Sequence, residues 1–402
     1  MLERKTKIST ATTPGQNEPI SQHFTAPFAY DVHFTEDAFG AGNPILEQAL
    51  VAKAGKVTSF ICFVDSEVLK NHRQLGEEIQ RYAEQKDSIN LLTKPIAVEG
   101  GESCKNNPAL LHELYKTLLD FAVDRHNCIL VIGGGAVLDL VGYAAATAHR
   151  GIRLIRMPTT VLSQNDSGVG VKNGINFLDR KNYLGTFAPP DAVICDFSFL
   201  RSLSARDKRA GMAEAIKVSL IRDAEFFDWL ERNSAALVAF EKGAVSYSIK
   251  SSAQIHALQI SSGGDPFEKG SNRPLDYGHW LAHKLEALSD YEVRHGEAVA
   301  IGMLVDARYA YEAGLLSADT LDRVRRMIEG LGFSLWHPSL EARDEGGELI
   351  ILQGLEEFRE HLGGELSITL LKDIGHSVEV HEVDLELMRA SLQWARQCQQ
   401  MS

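Results

Sequence analysis

The 402-residue sequence has few of the features that mark secreted, membrane or nucleic-acid-binding proteins. Its five cysteines are scattered and form no Cys-x-x-Cys pair, which indicates reduced thiols in a cytoplasmic protein and no disulfide framework. No apolar run approaches the roughly 20 residues of a membrane span, and residues 1–22 lack the apolar core of a signal peptide. Positive charge is scarce: 41 Lys and Arg against 54 Asp and Glu give a net charge of −13. This balance argues against a nucleic-acid partner.

The composition is that of a soluble globular protein, with 44% hydrophobic and 24% charged residues. The length exceeds one hydrophobic core and favours two domains. We expect residues 1–25, rich in Thr, Ser, Gln and Pro, to form a flexible leader. Strands and helices alternate over 26–195, which predicts an NAD-binding α/β domain with a Rossmann-like parallel sheet. Long amphipathic segments over 196–402 predict a mainly α-helical second domain, with a short hairpin between residues 366 and 383.

Glycines follow a predicted buried strand in "CILVIGGG", at Gly133, Gly134 and Gly135. Glycine lets the backbone approach a phosphate, and the helix N-terminus that follows offers free N–H donors. The run is not Gly-x-Gly-x-x-Gly, so a simple tight turn remains an alternative. Glu102 and Lys105 follow another strand, and Asp65 ends a third, where a carboxylate often binds a ribose hydroxyl. Together these features favour a dinucleotide crevice.

The stretch 157–187 is dense in small polar residues and is predicted to be a long loop. Lysines would supply charge to a sugar phosphate and asparagines would read its hydroxyl groups. Long loops inside compact domains are usually functional, although a solvated connection is the alternative. The candidate binding residues are Asp166, Lys172, Asn176, Lys181 and Asn182.

Three histidines lie close together in the sequence, at His279, His283 and His295. Upstream, Glu214 and Lys217 share a face of a predicted helix. One Glu and two His with an open coordination position form a catalytic zinc ligand set. Spacing alone does not choose which two histidines bind a metal. Hydrogen-bonded core histidines and a surface Glu–Lys pair remain the alternatives.

Six motifs in order resemble the 3-dehydroquinate synthase or sugar phosphate cyclase superfamily over roughly residues 65–314. They are "GGGAVLDLVGYAAATAHRG", "MPTTVLSQNDSGVGVKNGIN", "RKNYLGTF", "AGMAEAIK", "GHWLAHKLE" and "HGEAVAIGM". The resemblance implies an α/β NAD-binding domain and a helical metal-binding domain. It further implies NAD+, a divalent metal (Zn2+ or Co2+), a small sugar phosphate as partner, and a homodimer with no nucleic acid or membrane. The implied reaction is oxidation by NAD+, phosphate elimination, re-reduction and aldol ring closure.

The resemblance also assigns roles to individual residues. The implied metal ligands are Glu214, His279 and His295. The implied catalytic residues are Lys217, His283, Lys172 and Asp166. Substrate and phosphate contacts would come from Arg150, Lys181, Asn182, Asn272, Asp276 and His256. NAD contacts would come from Asp65, Glu102, Lys105, Gly133, Gly134, Gly135, Asp139, Thr159 and Thr160.

The sequence departs from the synthase where that enzyme faces its substrate carboxylate. The synthase pattern Arg-x-x-x-Asn-x-Gly-His-Thr reads "NRPLDYGHW" here, with Asn272 and Asp276 at the Arg and Asn positions. His256 stands where the family has a lysine, and Arg273 lies one place off the missing arginine. A buried carboxylate without charge-assisted partners is unfavourable, so the departure predicts an uncarboxylated substrate.

By analogy, the predicted substrate is sedoheptulose 7-phosphate and the product a valiolone-type C7 cyclitol. The stretch from Arg273 also resembles the cyclase of the Ebo gene cluster. Two alternatives remain: 3-dehydroquinate synthase itself, and a non-catalytic scaffold that binds NAD and metal.

Overall fold

The computed structural model describes residues 22–24, 26–51, 56–178, 180–267 and 273–401. Most of the predicted leader and Asn272 lie outside these ranges. In the part of the chain that the structure describes, no helix is both long enough and apolar enough to cross a membrane.

A seven-stranded parallel sheet forms the N-terminal half, with strand order β1-β9-β6-β5-β2-β3 and β4 also paired with β2. Its strands are β1 Asp31–Thr35, β2 Thr58–Asp65, β3 Ile89–Leu91, β4 Ile96–Val98, β5 Cys128–Gly133, β6 Arg153–Pro158 and β9 Ala192–Asp196. The helices of this half are α1 Ile45–Leu50, α2 Ser66–Asn71, α3 Leu75–Glu84, α4 Pro108–Asp120 and α5 Gly135–Thr147. Successive residues of β2 enter separate cores on the two faces of the sheet. Burial on both faces explains the continuous apolar runs in the sequence.

Among its described residues, the C-terminal half is helical apart from an antiparallel hairpin between β10 Ile368–Asp373 and β11 His376–Val380. Its helices are α6 Ala205–Arg222, α7 Ala224–Arg232, α8 Ser234–Val238, α9 Lys242–Ser262, α10 His279–Leu288, α11 His295–Glu312, α12 Ala318–Gly330, α13 Gln353–His361 and α14 Leu385–Met401. They share one large apolar core. The predicted fold class is confirmed, while the domain boundary at 195/196 stays a prediction.

The predicted loop over 157–187 is wrong in one respect, because much of it forms an antiparallel hairpin. Strand β7 (Lys172–Phe177) pairs with β8 (Arg180–Phe187), outside the main sheet. A π-helical turn, Ser163–Ser167, precedes it. The polar letters suggested a loop, but Asn173 is buried and accepts a hydrogen bond from the Arg156 guanidinium. Buried polar groups with partners are compatible with a strand.

Helix α11 packs closely against its neighbours at two glycines. A Cβ atom at Gly302 would lie 2.1 Å from the Gly278 carbonyl oxygen, and one at Gly296 would lie 1.9 Å from that of Ala210. The first contact packs the start of α10 against the middle of α11, and the second packs the start of α11 against α6. Close approach of this kind tolerates no larger residue.

We therefore expect Gly302→Ala to lower the free energy of unfolding by about 1–3 kcal/mol or more, because backbone has to move. Gly243→Ala in α9 is the control, since a Cβ there meets nothing within 4 Å. That change should stabilise the chain by about 0.4–1 kcal/mol. Denaturant unfolding of both variants measures the difference, and equal stabilities would show that the α10–α11 contact is not rigid.

Candidate active site

A cavity of about 1450 Å³ lies between the carboxyl ends of the parallel strands and the helical half. Its walls contain most of the residues that the sequence singled out. The predicted site residues on its lining are Asp65, Glu102, Lys105, Gly134, Gly135, Asp139, Thr159, Thr160, Asp166, Lys172, Lys181, Asn182, Lys217, His256, Asp276, His279, His283 and His295. Ligands of open α/β sheets bind at this edge, beyond the carboxyl ends of the strands.

Four predicted residues that the structure describes are not on the lining. Asn176 is buried in β7 and donates to Oε1 of Glu102 at 3.2 Å. Glu214 lies behind the lining, fully buried within α6. Gly133 is the buried last residue of β5. Arg150 is exposed on a short turn after α5, with a left-handed φ of 62°, so its predicted contact with phosphate stays a prediction.

The three predicted metal ligands lie close together, where the starts of α10 and α11 meet α6. Potential ligand atoms of Glu214, His279 and His295 all lie within 4.8 Å of one another. His279 is the first residue of α10 and His295 the first of α11. A second group with the same spacing, His283, Glu286 and His295, shares one of these histidines.

Each of the two histidines has one ring nitrogen engaged by an acceptor. Nδ1 of His279 lies 3.1 Å from the Tyr277 carbonyl oxygen, and Nδ1 of His295 lies 3.0 Å from Oε2 of Glu286. A proton held on Nδ1 leaves the lone pair of Nε2 for a metal. Burial, with Lys217 and the neighbouring histidines, holds the pKa of His279 well below its usual range. The ring is therefore neutral, as a metal ligand must be.

Glu214 and Lys217 form a buried ion pair, with Lys217 Nζ 2.5 Å from Glu214 Oε2. Burial raises the pKa of Glu214. Burial alone would lower the pKa of Lys217, but the charges of Glu214 and Asp166 outweigh it and raise that pKa. Neither carboxylate oxygen of Glu214 has a well-directed hydrogen bond. A buried carboxylate with unused lone pairs beside the rings of His279 and His295 fits Zn2+ with an open position.

Two lysines of the cavity are held by carboxylates. Lys181 donates to both oxygens of Glu286, at 3.1 and 3.2 Å. Lys105 Nζ lies 2.9 Å from Asp139 Oδ2 and donates to Asn182 of the β7–β8 hairpin. Burial alone would raise the pKa of Glu286, but His295 and Lys181 hold it well below its usual range. The hairpin thus contacts both halves of the molecule through charged side chains.

Asp166 and His256 face each other across the cavity wall. Oδ1 of Asp166, in the π-helical turn, lies 2.9 Å from Nδ1 of His256 in α9. Burial alone would raise the pKa of Asp166, but His256 and Lys217 hold it well below its usual range. The residue that replaces the family lysine is therefore paired with an acid that also lines the cavity.

Two residues of the site escaped the sequence analysis. Glu286 serves both Lys181 and His295, but nothing in the sequence pairs it with either. Arg156 is fully buried and donates to the carbonyl oxygens of Gly170 at 2.7 Å and Lys172 at 2.8 Å. It holds the segment between the π-helical turn and β7. A cation inside the apolar run "RLIRMP" was a signal for a buried charge with a structural partner.

Residues 95–210 match the family described as 3-dehydroquinate synthase N-terminal, and residues 211–346 match 3-dehydroquinate synthase C-terminal. The chain belongs to the 3-dehydroquinate synthase family. This family and its structural neighbours confirm the resemblance to the sugar phosphate cyclase superfamily.

Relatives named 3-dehydroquinate synthase align with most of the length of this chain. The one from Citrifermentans bemidjiense is 36% identical over 300 residues, which span 71% of this chain and 80% of the relative. One from Prochlorococcus marinus (strain AS9601) is 38% identical over 292 residues, or 72% and 78% of the two chains.

A solved structure covers more of the chain. The 2-epi-5-epi-valiolone synthase of Streptomyces hygroscopicus subsp. jinggangensis 5008, with NAD+ and Zn2+ bound, is 29% identical. It superimposes with a TM-score of 0.82 and covers 94% of this chain and 99% of its own. A 2-deoxy-scyllo-inosose synthase, at 23% identity and TM-score 0.71, covers 90% and 96% and shares the fold.

Proposed function

We propose that the chain is an NAD- and metal-dependent sugar phosphate cyclase, a phosphate-eliminating carbon–oxygen lyase. Its substrate is a heptulose 7-phosphate without a carboxylate, namely sedoheptulose 7-phosphate, and its product a valiolone-type C7 cyclitol. The observation that carries this substrate choice is the pairing of His256 with Asp166 at 2.9 Å, where the synthase has a lysine. We also propose a cytoplasmic homodimer of two-domain chains, with the domains meeting near residue 195.

The geometry above supports the proposed cofactor sites. Glu214, His279 and His295 would hold the metal, and the start of α5 at Gly134 and Gly135 would receive the pyrophosphate of NAD+. When bound, Zn2+ and NAD+ supply Lewis acidity and a hydride acceptor. Both belong to an oxidation of a secondary alcohol, which the elimination of phosphate requires.

The chain's own residues then position the substrate and stabilise the charges that develop on it. Lys217, charged and next to Glu214, donates a hydrogen bond to the substrate oxygen and stabilises negative charge on it. Lys181 and Lys172 bind the phosphate and stabilise its charge as it leaves. His283 lies one helical turn from His279, with ring centroids 5.5 Å apart, where it serves proton transfer.

The charges on the cavity wall support an uncarboxylated substrate. Asp276 stands at the position of a family asparagine and lies close enough to Lys217 to raise its pKa. It adds negative charge to a site where the synthase has an arginine and a lysine that this chain lacks at the matching positions, and like charges repel a carboxylate. Hydroxyl groups suit such acceptors, because they donate hydrogen bonds to carboxylate oxygens.

Arg273 and the named relatives favour one competing reaction, that of 3-dehydroquinate synthase. Arg273 lines the cavity, and the relatives at 36% and 38% identity carry that name. A guanidinium is a strong partner for a carboxylate. The substrate experiment therefore has to compare both phosphates directly.

Phosphate release by the full chain with NAD+ and Zn2+ measures this choice. We expect kcat/KM for sedoheptulose 7-phosphate to exceed that for 3-deoxy-arabino-heptulosonate 7-phosphate, because the carboxylate of the latter would meet Asp276 and would lack the lysine that His256 replaces. Lys217→Ala serves as the inactive control for contaminating phosphatase. Equal or faster turnover of the carboxylated substrate would replace the proposal with 3-dehydroquinate synthase. Release from neither substrate, with Lys217→Ala functional in cells, would favour the scaffold.

A further inference from the structure

A buried aspartate of α11, Asp306, accepts hydrogen bonds from the residues on both sides of the predicted metal ligand His279. Asp306 is fully buried. Its Oδ2 accepts the backbone N–H of Gly278 at 3.1 Å, and its Oδ1 accepts the indole N–H of Trp280 at 2.8 Å. These two donors belong to the residues immediately before and after His279.

The Gly278 N–H is half of a peptide group whose other half contacts the histidine. The carbonyl oxygen of that peptide belongs to Tyr277 and lies 3.1 Å from Nδ1 of His279. Asp306, the Tyr277–Gly278 peptide and the His279 ring therefore form one continuous series of hydrogen bonds. Hydrogen bonds in series polarise one another, so a carboxylate at one end strengthens the acceptor at the other.

We propose that Asp306 is a positioning residue for the metal ligand His279 and acts on it through the Tyr277–Gly278 peptide. The inference rests on the proposed metal site. Carboxylates that hold the outer nitrogen of a metal-binding histidine fix its orientation and raise its basicity. Glu286 contacts His295 directly in this way, at 3.0 Å. Asp306 does the same for His279 with one peptide in between.

The surroundings hold this peptide in place. Gly278 has a left-handed φ of +78°, and its carbonyl packs against Gly302 of α11. The Tyr277 hydroxyl donates to the Met303 carbonyl oxygen at 2.9 Å. Each contact reaches the same helix that carries Asp306 and begins with His295. Helix α11 therefore fixes the positions of both predicted histidine ligands: it contains His295 and contacts the segment before His279.

Asp306 supplies the acceptors for two buried neutral donors, which is a structural role in itself. Burial raises the pKa of this carboxyl group to about 7, so the carboxylate form is held at a cost in free energy. A purely structural role predicts that replacing Asp306 changes stability alone, whereas the proposed role predicts that it also changes Zn2+ affinity.

Zn2+ affinity of the full chain tests the proposal. The metal is removed with a chelator, and Zn2+ is returned in competition with a chromophoric chelator. We expect Asp306→Asn to weaken Zn2+ binding by about 10- to 100-fold, as loss of residues behind metal ligands does. The visible spectrum of the Co2+-loaded protein should change too, because the His279 ring is held less firmly. Affinity for NAD+ should stay at the wild-type value and reports that the chain is folded.

Asp196→Asn is the matched control. Asp196 is also buried and accepts backbone N–H groups, from Ala38 at 2.7 Å and Ser198 at 2.8 Å, but it does not line the cavity. It should leave Zn2+ affinity and the Co2+ spectrum unchanged. If Asp306→Asn does not fold, the double variant Trp280→Phe/Asp306→Asn removes the indole donor that the amide would oppose, and its Zn2+ affinity gives the answer.

The outcomes distinguish a failure of the role of Asp306 from a failure of the proposed metal site. Wild-type affinity and spectrum in a folded Asp306→Asn chain, or in the double variant, overturn the role of Asp306 while leaving the metal site standing. Weakening by Asp196→Asn to the same extent also overturns it, since the effect would then be general destabilisation. A wild-type chain that binds no Zn2+ would instead refute the metal site and with it the proposed function.

Discussion

Replacing Lys217 by alanine is expected to lower kcat for phosphate release by about 10²- to 10³-fold, the usual effect of removing one preorganised donor. Lys217 is a buried cation of α6 that lies both against Glu214 and on the cavity wall. Its charge acts at the substrate oxygen only during oxidation, so KM should change less than kcat.

A lysine of the same helix provides the control for this experiment. Lys208 packs over the Phe240 ring, 5.5 Å from its centroid, and does not line the cavity. Lys208→Ala should retain wild-type kcat. Lys217→Met, which keeps the volume but not the charge, should behave like Lys217→Ala. Wild-type turnover in the methionine variant would remove Lys217 from the reaction.

Replacing Glu214 by glutamine is expected to weaken Zn2+ binding by more than about 100-fold, beyond the effect of losing a residue behind a ligand. The carboxylate is fully buried and its oxygens lack well-directed hydrogen bonds, so a cation is the partner it fits. Phosphate release should fall in parallel, and added Zn2+ should restore metal occupancy only at the higher concentrations that the weakened affinity requires. Metal content and Zn2+ competition assays of the purified chain measure the loss.

Glu286→Gln distinguishes the two possible ligand groups. If the metal binds at Glu214, His279 and His295, Glu286→Gln weakens it only as a residue behind His295 does, by about 10- to 100-fold. If it binds at His283, Glu286 and His295, the order of the two effects is reversed. Glu312→Gln is the neutral control, because Glu312 is the last residue of α11, pairs with Arg308 and does not line the cavity.

The sequence predicted the parts of the site whose residues lie in regular elements with a strong local pattern. The buried strand before Gly133–Gly135 is a continuous apolar run, and the helix around Glu214 begins at a Ser204 cap. The spacing of His279, His283 and His295 did not choose which two bind a metal, whereas the described geometry brings His279 and His295 to Glu214. The spacing in the sequence does not reveal that His279 and His295, the first residues of two different helices, lie close together in the fold.

The parts that escaped prediction depend on contacts between distant residues. Asp306 lies 28 residues from Gly278, and Glu286 lies 105 residues from Lys181. Their importance comes from hydrogen bonds that exist only after α10, α11 and the β7–β8 hairpin have packed together. The hairpin itself was read as a loop because its buried asparagines look like solvent-facing residues until their partners are known.

Glu286 lies between the proposed phosphate-binding residue Lys181 and the proposed metal ligand His295, since it accepts from Lys181 and contacts His295. One carboxylate that serves two groups makes their binding equilibria interdependent. When a phosphate draws on the charge of Lys181, Glu286 is left freer to polarise His295. Thermodynamic reciprocity then requires that the metal alter phosphate affinity by the same factor by which phosphate alters metal affinity. Release of phosphate would thus change the affinity of the site for the metal without any movement of the backbone.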